Sequence, residues 1–226
     1  KTMAYAGSDT GTYYHSDSEA NVQDFFNLRI ERGHPDYDVT HRLVADWIYE
    51  FPGLTSWNAP LRTVLGGWQL TGFLTSQTGT PLRITQSCSS NWLCRVDYVG
   101  GDIVLDNWQK NEIGAGCRVG VHCDVQYLNL SAFALVPAVS GVAIRPGNAG
   151  TSLVRGPGFW QVDSSMSKNF RLRENMRMQF RLDMFNALNK VNLGGPSTSL
   201  STPSTFGRIN GARGMRTMQA GLRLTF

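Results

Sequence analysis

Alternation of apolar and polar residues is the dominant pattern in this chain, and it is clearest at the C-terminus. Every second residue is apolar from position 218 to the end, namely Met218, Ala220, Leu222, Leu224 and Phe226. Side chains two positions apart lie on the same face of a β-strand. The segment therefore predicts a strand with one apolar and one polar face.

Weaker forms of the alternation recur through the chain, which predicts an all-β fold. Five further segments alternate, at positions 26–30, 43–49, 68–77, 160–172 and 176–184. The strand that begins at Trp68 is expected to continue past Gly79 and Pro81 to Gln86. No segment has the periodicity of a convincing helix. We therefore expect an antiparallel meander of about six long strands.

The polar faces decide between two kinds of all-β protein. The strands of a soluble sandwich and of a membrane barrel both alternate apolar and polar residues. The predicted strands have about ten residues, however, whereas strands usually have five or six. Arg177, Arg181 and Asp183 share one strand face, beside Arg171 and Asp163 on the neighbouring strand. A charged barrel lumen accounts for such a face. The pattern favours an outer-membrane β-barrel, with membrane lipid against its apolar face.

The lengths of the connections favour the same fold. Residues 173–175 form a short turn, whereas residues 87–158 and 189–214 form long connections. Outer-membrane barrels have short periplasmic turns and long external loops. If Phe226 ends at the periplasmic side, both long connections are external. We expect residues 1–226 to form a single barrel segment of this kind.

Composition and charge narrow the classes of function. The net charge of +4 comes from scattered basic residues, which disfavours a nucleic-acid partner. No apolar run reaches the roughly 18 residues of a membrane helix. The chain begins at Lys1 in a polar stretch, without a recognisable signal peptide. We expect a processed protein or a fragment.

Four cysteines form two pairs with identical spacing, Cys88 with Cys94 and Cys117 with Cys123. An even number of cysteines in an exported protein favours disulfides. Three connectivities satisfy this count, and the two local pairs are the preferred one. Zinc binding that includes His122 is the alternative, although the spacing is wider than usual for a zinc knuckle. We predict neither a metal site nor a cofactor.

Sequence motifs of enzymes are missing, since there is no G-x-S-x-G, H-E-x-x-H or phosphate loop. The alternative of a small all-β hydrolase, an esterase or glycosidase, draws on His41 and Asp38 with a nearby serine, or on Asp163 and Asp183 as paired carboxylates. A proline-containing turn and ion pairing with arginines explain the same residues without catalysis. The sequence therefore favours a protein that is not an enzyme.

The last eight residues, QAGLRLTF, resemble the C-terminal signal by which outer-membrane proteins are recognised by the barrel assembly machinery. The matching positions are Gln219, Gly221, Leu224 and Phe226. An exposed strand edge can be captured by β-augmentation, which is the physical basis of such recognition. The resemblance implies that the assembly machinery is a partner.

Longer stretches resemble the C-terminal region of Oar-like TonB-dependent receptors. They are HPDYDVTHRLVADWIYEFP, VLGGWQLTGFLTSQTGTPLRIT, NAGTSLVRGPGFWQVDSSMSKNFRL, MRMQFRLDMFNALNKVN and FGRINGARGMRTMQAGLRLTF, which cover about half of the chain. The resemblance implies a barrel of about 22 strands with an N-terminal plug and a TonB box. Neither the plug nor the box is recognisable here.

The combined expectation is a section of an outer-membrane transporter that takes up or binds an unknown small ligand or peptide. The TonB system would act through an N-terminal part that this sequence does not contain. Loop 87–158 is the expected recognition element, because its cysteine segment does not match anything general to the family. A surface binding or adhesion module remains a second alternative to transport, beside the hydrolase.

Overall fold

Five long antiparallel strands form one open sheet. The computed structural model describes residues 4–5, 23–24, 26–53, 58–88, 94–110, 112–113, 124–173 and 175–226. The strands are β1 (Arg42–Glu50), β2 (Trp68–Gln77), β3 (Phe159–Arg173), β4 (Met176–Phe185) and β5 (Thr217–Thr225). Each strand pairs with the next along the chain. The predicted all-β antiparallel meander is confirmed, with β1 and β5 at its edges.

The register of the sheet keeps the apolar and polar residues on opposite faces. Leu182 of β4 lies opposite Met166 of β3 and Ala220 of β5. The next residue, Arg181, lies opposite Ser167 and Gly221. Because the side-chain period of a strand is two residues, one sheet face is apolar and the other polar across neighbouring strands.

On the apolar face of the sheet, a tryptophan ring covers a glycine of the neighbouring strand, which has no side chain to fill that space. Trp47 of β1 lies directly opposite Gly72 of β2. Its indole ring occupies the space that a Cβ atom at Gly72 would need. An aromatic ring over a strand glycine shields backbone that has no side chain of its own. A larger residue at position 72 would displace the indole.

Two of the strand predictions are wrong. Residues 28–31 form a 3-10 helix, Leu28–Glu31, in place of a sixth long strand, and the carboxylate of Glu31 is buried against Arg95. The strand from Trp68 ends at Gln77 and does not continue to Gln86. A separate short strand, Pro81–Leu82, pairs with Val154–Arg155. Proline has no backbone N–H, so it interrupts the regular hydrogen bonding of a strand.

The expectation of no helix is also wrong, because residues Ala59–Leu65 form the helix α1. A seven-residue helix is too short for its periodicity to stand out in the sequence. Gly66 follows it in extended conformation, and a Cβ atom there would lie 2.7 Å from the carbonyl oxygen of Gly53. Within the described part of the chain, no helix is long and apolar enough to cross a membrane.

The chain divides into two compact units. The sheet unit contains the five strands and α1, within residues His41–Gln77, Phe159–Asn192 and Arg213–Phe226. The loop unit lies within residues Lys1–Thr40, Thr78–Gly158 and Leu193–Ala212. The loop unit contains short strands at Ala4–Tyr5, Arg32–Gly33, Pro81–Leu82, Asp97–Tyr98, Glu112–Ile113, Asp124–Gln126, Phe133–Ala134, Ala138–Val139, Val142–Ala143, Val154–Arg155 and Arg208–Ile209. Two further 3-10 helices, Trp108–Lys110 and Leu130–Ala132, complete it.

The loop unit has a hydrophobic core of its own. Its members come from both long connections: Ile84, Val96, Val125, Tyr127, Leu128, Ala132, Phe133, Ala149, Leu200, Phe206 and Ile209. The rings of Phe133 and Phe206 have centroids 5.6 Å apart. The backbone of Thr85 accepts a hydrogen bond from the N–H of Leu200 at 2.8 Å. The two connections therefore fold together around one core.

Candidate functional site

The polar face of the sheet is the first candidate surface, and it has a charge asymmetry. Arginines predominate on the three C-terminal strands, whereas Asp46 and Glu50 lie on β1. Arg171 of β3 lies directly opposite Arg177 of β4, and Arg223 of β5 lies opposite Gln179. Like charges directly opposite each other across strands are destabilising. An anionic group beside Arg171 and Arg177 would relieve that repulsion.

Asp163 and Asp183 both lie on the polar face, as the alternation predicts. Arg181 Nε donates to Asp183 at 2.8 Å, which is the ion pairing that the sequence suggests. Asp163 accepts from Gln161 Nε2 at 2.9 and 3.0 Å and from the N–H of Asn186 at 2.8 Å. Each carboxylate is therefore engaged by neighbours that stabilise its charge.

Asp38 belongs to the loop unit, and its main partner is an arginine. Arg155 donates from Nη2 to the Asp38 carboxylate and from Nη1 to the Asp38 carbonyl oxygen at 2.9 Å. This hydrogen bond from Arg155 holds the pKa of Asp38 below its usual value. The Nδ1 atom of His34 also lies 3.5 Å from this carboxylate. His41 belongs to the sheet unit, where it is exposed and directly precedes β1.

The first cysteine pair forms as predicted, since a disulfide joins Cys88 to Cys94. Cys117, Cys123 and His122 lie outside the described residues. Among the residues that the structure describes, no group of three His, Cys, Asp or Glu side chains could hold a metal ion. The Cys88–Cys94 bond closes a short loop beside the hydrophobic core, because Cys94 is buried.

A buried ion pair in the loop unit was missed by the sequence reasoning. Arg95 Nη2 lies 3.2 Å from Glu31 Oε1, and their side chains are 1 % and 0 % exposed. Gln23 accepts from the N–H of Arg95 at 2.7 Å and donates its own N–H to Glu31. Burial lowers the pKa of Arg95, and the charge of Glu31 opposes that shift. This network joins residues 23–31 to the core, and nothing in the sequence pattern signals it.

Lys168 is the second feature that sequence reasoning missed, although a signal was present. It occupies an apolar position of the alternation in β3, between Met166 and Phe170, and it lies opposite Phe180 and Trp68. Despite this position it is only 4 % exposed. Its Nζ donates to the carbonyl oxygens of Val64 at 3.0 Å and of Gly66. A lysine at an apolar position therefore marks where α1 contacts the sheet.

The predicted assembly signal lies in the edge strand β5. Gln219 and Gly221 are on its polar face, and Leu224 lies opposite Met178 on the apolar face. The terminal Phe226 is 92 % exposed. Within the described residues β5 pairs only with β4. Its second edge is therefore available for pairing with another strand.

Comparison with protein families identifies the class of protein to which the sheet belongs. The family model for the outer membrane beta barrel domain matches residues 1–219. The chain belongs to this outer-membrane β-barrel family. Its location is accordingly the bacterial outer membrane. Barrels of this class have an apolar outer face toward lipid and a polar interior, and the two faces of this sheet fit that arrangement. Neither the comparison with curated proteins nor that with solved structures finds a match.

Proposed function

We propose that this barrel section belongs to a TonB-dependent receptor of the Oar-like kind, which takes up a small ligand or peptide across the outer membrane. The observation that carries the proposal is the charged lumen face, on which Arg171, Arg177 and Arg223 lie near one end of three neighbouring strands. A lumen wall with a defined charge suits a protein that conducts or holds a polar solute. The family-specific stretches, from HPDYDVTH to QAGLRLTF, support this assignment.

The five long strands of the described residues are too few for a closed barrel, since outer-membrane barrels have at least eight. The remaining strands, the plug and the TonB box would belong to an N-terminal part of the intact protein. In this proposal, the edge strand β5 carries the signal Gln219, Gly221, Leu224 and Phe226 for the barrel assembly machinery. Its unpaired edge would join the barrel when the wall closes.

The loop unit is the proposed recognition element, with residues 87–158 as its main part. Its core and the Cys88–Cys94 disulfide give the surface a fixed shape, which lowers the entropy cost of binding. The hairpin of Ala138–Val139 and Val142–Ala143 presents Val139 and Val142, which are 69 % and 49 % exposed. These exposed apolar side chains favour a ligand with an apolar component, such as a peptide.

Depletion of solutes from a complex growth medium tests the transport function. Cells with the intact protein, cells without it, and cells with TonB inactivated would be compared by mass spectrometry of the medium. A solute that is depleted only when both the protein and TonB are present supports the proposal. Equal depletion in all three cultures would refute transport.

A surface binding module is the second candidate, favoured by the separate core and disulfide of the loop unit. It predicts binding to a surface or ligand that does not require TonB. Binding should weaken when Cys88 and Cys94 are both changed to serine. The experiment measures how much of a mixture of medium peptides is retained on whole cells, with and without TonB. Retention that does not depend on TonB separates this function from uptake.

A further inference from the structure

The helix α1 has an apolar stripe that the sheet does not cover. Leu61, Val64 and Leu65 have the i, i+3, i+4 spacing that places side chains on one side of a helix. They are 48 %, 58 % and 47 % exposed. In a water-soluble protein such a stripe would face a core. Here the three side chains stay exposed although α1 is held against the sheet.

The contacts of α1 lie on the lipid-facing side of the sheet. The carbonyl oxygen of Val64, in the last turn, accepts from Trp68 Nε1 at 3.0 Å and from Lys168 Nζ at 3.0 Å. Trp68 and Lys168 belong to the apolar face of β2 and β3, and Trp68 packs edge-on against Phe180. The helix is therefore attached to the same face that meets membrane lipid.

The position of Lys168 explains how a charged residue is tolerated there. Its Nζ lies 5.5 Å from the Trp68 ring centroid and 5.0 Å from that of Phe170. The carbonyl oxygens at the end of α1 carry the negative end of the helix dipole. Carbonyls and ring faces together surround the ammonium group, which leaves Lys168 only 4 % exposed.

We propose that α1 is a lipid-contacting helix, clamped by Lys168, whose Leu61, Val64 and Leu65 insert among the acyl chains of phospholipid in the periplasmic leaflet. The stripe continues the established lipid-facing surface of the sheet, which argues for lipid as the occupant. The leaflet follows from the topology, because the connection between β1 and β2 leaves the sheet at the same end as the short turn between β3 and β4. Short turns are periplasmic in barrels of this class. The inference is independent of what the barrel transports.

Photo-cross-linking in the native outer membrane tests the orientation of α1. The residue p-benzoylphenylalanine would replace Leu61 in one variant and Thr63, about 200° around the helix, in the matched control. Adducts with phospholipid would be measured by mass spectrometry of the purified protein. We expect several-fold more phospholipid adduct at position 61 than at position 63. Equal yields, no adduct, or an adduct mainly with lipopolysaccharide would overturn the proposal.

The clamp is tested in the same assay with Lys168→Met, using Lys190→Met as the control. Lys190 also lies over a tryptophan ring, at 5.7 Å from the Trp160 centroid, but Trp160 is at the opposite end of β3 from Lys168. We expect Lys168→Met to reduce the preference for position 61 over 63 several-fold and Lys190→Met to leave it unchanged. An unchanged preference in Lys168→Met would overturn the role of the clamp. If Lys168→Met does not assemble, the comparison of positions 61 and 63 in the parent protein still decides the lipid contact.

Discussion

The loop unit and the sheet unit use the same apolar residue types in opposite ways. In the loop unit Ile84, Leu128 and Ile209 are 0 % exposed. In the sheet unit Leu222 and Met218 are 71 % and 53 % exposed, on the face that meets lipid. The hydrophobic effect removes apolar surface from water in both cases, into a protein core in one and into a bilayer in the other. The buried fraction of an apolar side chain therefore reports how well it is packed in the loop unit, but not on the apolar face of the sheet unit.

The largest expected effect is the loss of a core aromatic from the loop unit. Phe206→Ala should destabilise that unit by about 3–5 kcal/mol, because Phe206 is 1 % exposed and packs against Phe133. Hydrogen exchange measured by mass spectrometry should show faster exchange in peptides of the loop unit. The control, Phe185→Ala in the sheet, removes a ring that is 51 % exposed. Equal losses of protection in both units would contradict the division into two units.

A charge on the lipid-facing side of the sheet should have the next largest effect. Leu182→Lys should cost about 2–4 kcal/mol if the position lies near the bilayer midplane. The control, Gln69→Lys, places the same charge on the polar face opposite Glu50, where we expect little change. Urea titration in phospholipid vesicles measures both. Equal stabilities of the two variants would show that the lipid-facing assignment is wrong.

Removal of the disulfide should affect only the loop unit. Replacing Cys88 and Cys94 together by serine should destabilise that unit by about 2 kcal/mol, since the bond closes a short loop in the unfolded chain. Hydrogen exchange again provides the measurement, with peptides from β3 and β4 as the internal control. Unaltered exchange in the loop unit would mean that the core alone fixes its structure.

The smallest predicted effect is a pH dependence of the loop unit. Arg145 donates to both carboxylate oxygens of Asp97, at 2.9 and 2.6 Å, and thereby holds the pKa of Asp97 below its usual value. Since the unfolded chain takes up the proton first as pH falls, the stabilisation is complete above the usual pKa of Asp97. It is lost as pH falls through the lower pKa of the folded state.

Asp97→Asn should therefore weaken this acid dependence and cost about 1 kcal/mol at neutral pH, as Arg145 is half exposed. Calorimetric unfolding of Asp97→Asn and of the parent protein, measured between neutral and acidic pH, compares their stabilities. Asp102→Asn is the control, because Asp102 is exposed and accepts a hydrogen bond from Asn129 through its backbone carbonyl, which the substitution keeps. An identical acid dependence in Asp97→Asn and the parent would refute the assignment.

The contrast between the units also explains which features the sequence could predict. Each long strand has an apolar and a polar face, so alternation is regular over β4 and β5 and interrupted only at Ser164 and Lys168 in β3, and the meander is predictable. The described strands of the loop unit have only two or three residues each, which is too short to show periodicity. Its core joins Ile84 to Ile209, from different connections, and no local pattern relates them.

Among candidate site residues, local reasoning succeeded where the partners are close in the sequence. The Cys88–Cys94 bond and the Arg181–Asp183 ion pair both join near neighbours. The contact of Asp38 with Arg155 and that of Glu31 with Arg95 join distant segments, so they could not be deduced. Lys168 was detectable as an interruption of the alternation, but its carbonyl partners in α1 were not.

The shared core of the loop unit has a consequence for the order in which the protein can mature. Ile84 and Phe206 pack in one cluster, so the core of the unit cannot form until residues from both connections are present. The second connection is followed directly by β5, the edge strand of the sheet. A chain that ends at Asn192 should leave Ile84 and Leu128 without part of their packing, which protease digestion would detect. The loop unit thus takes its last core residues from the segment just before β5, so completion of that core and completion of the sheet both depend on the same final stretch of the sequence.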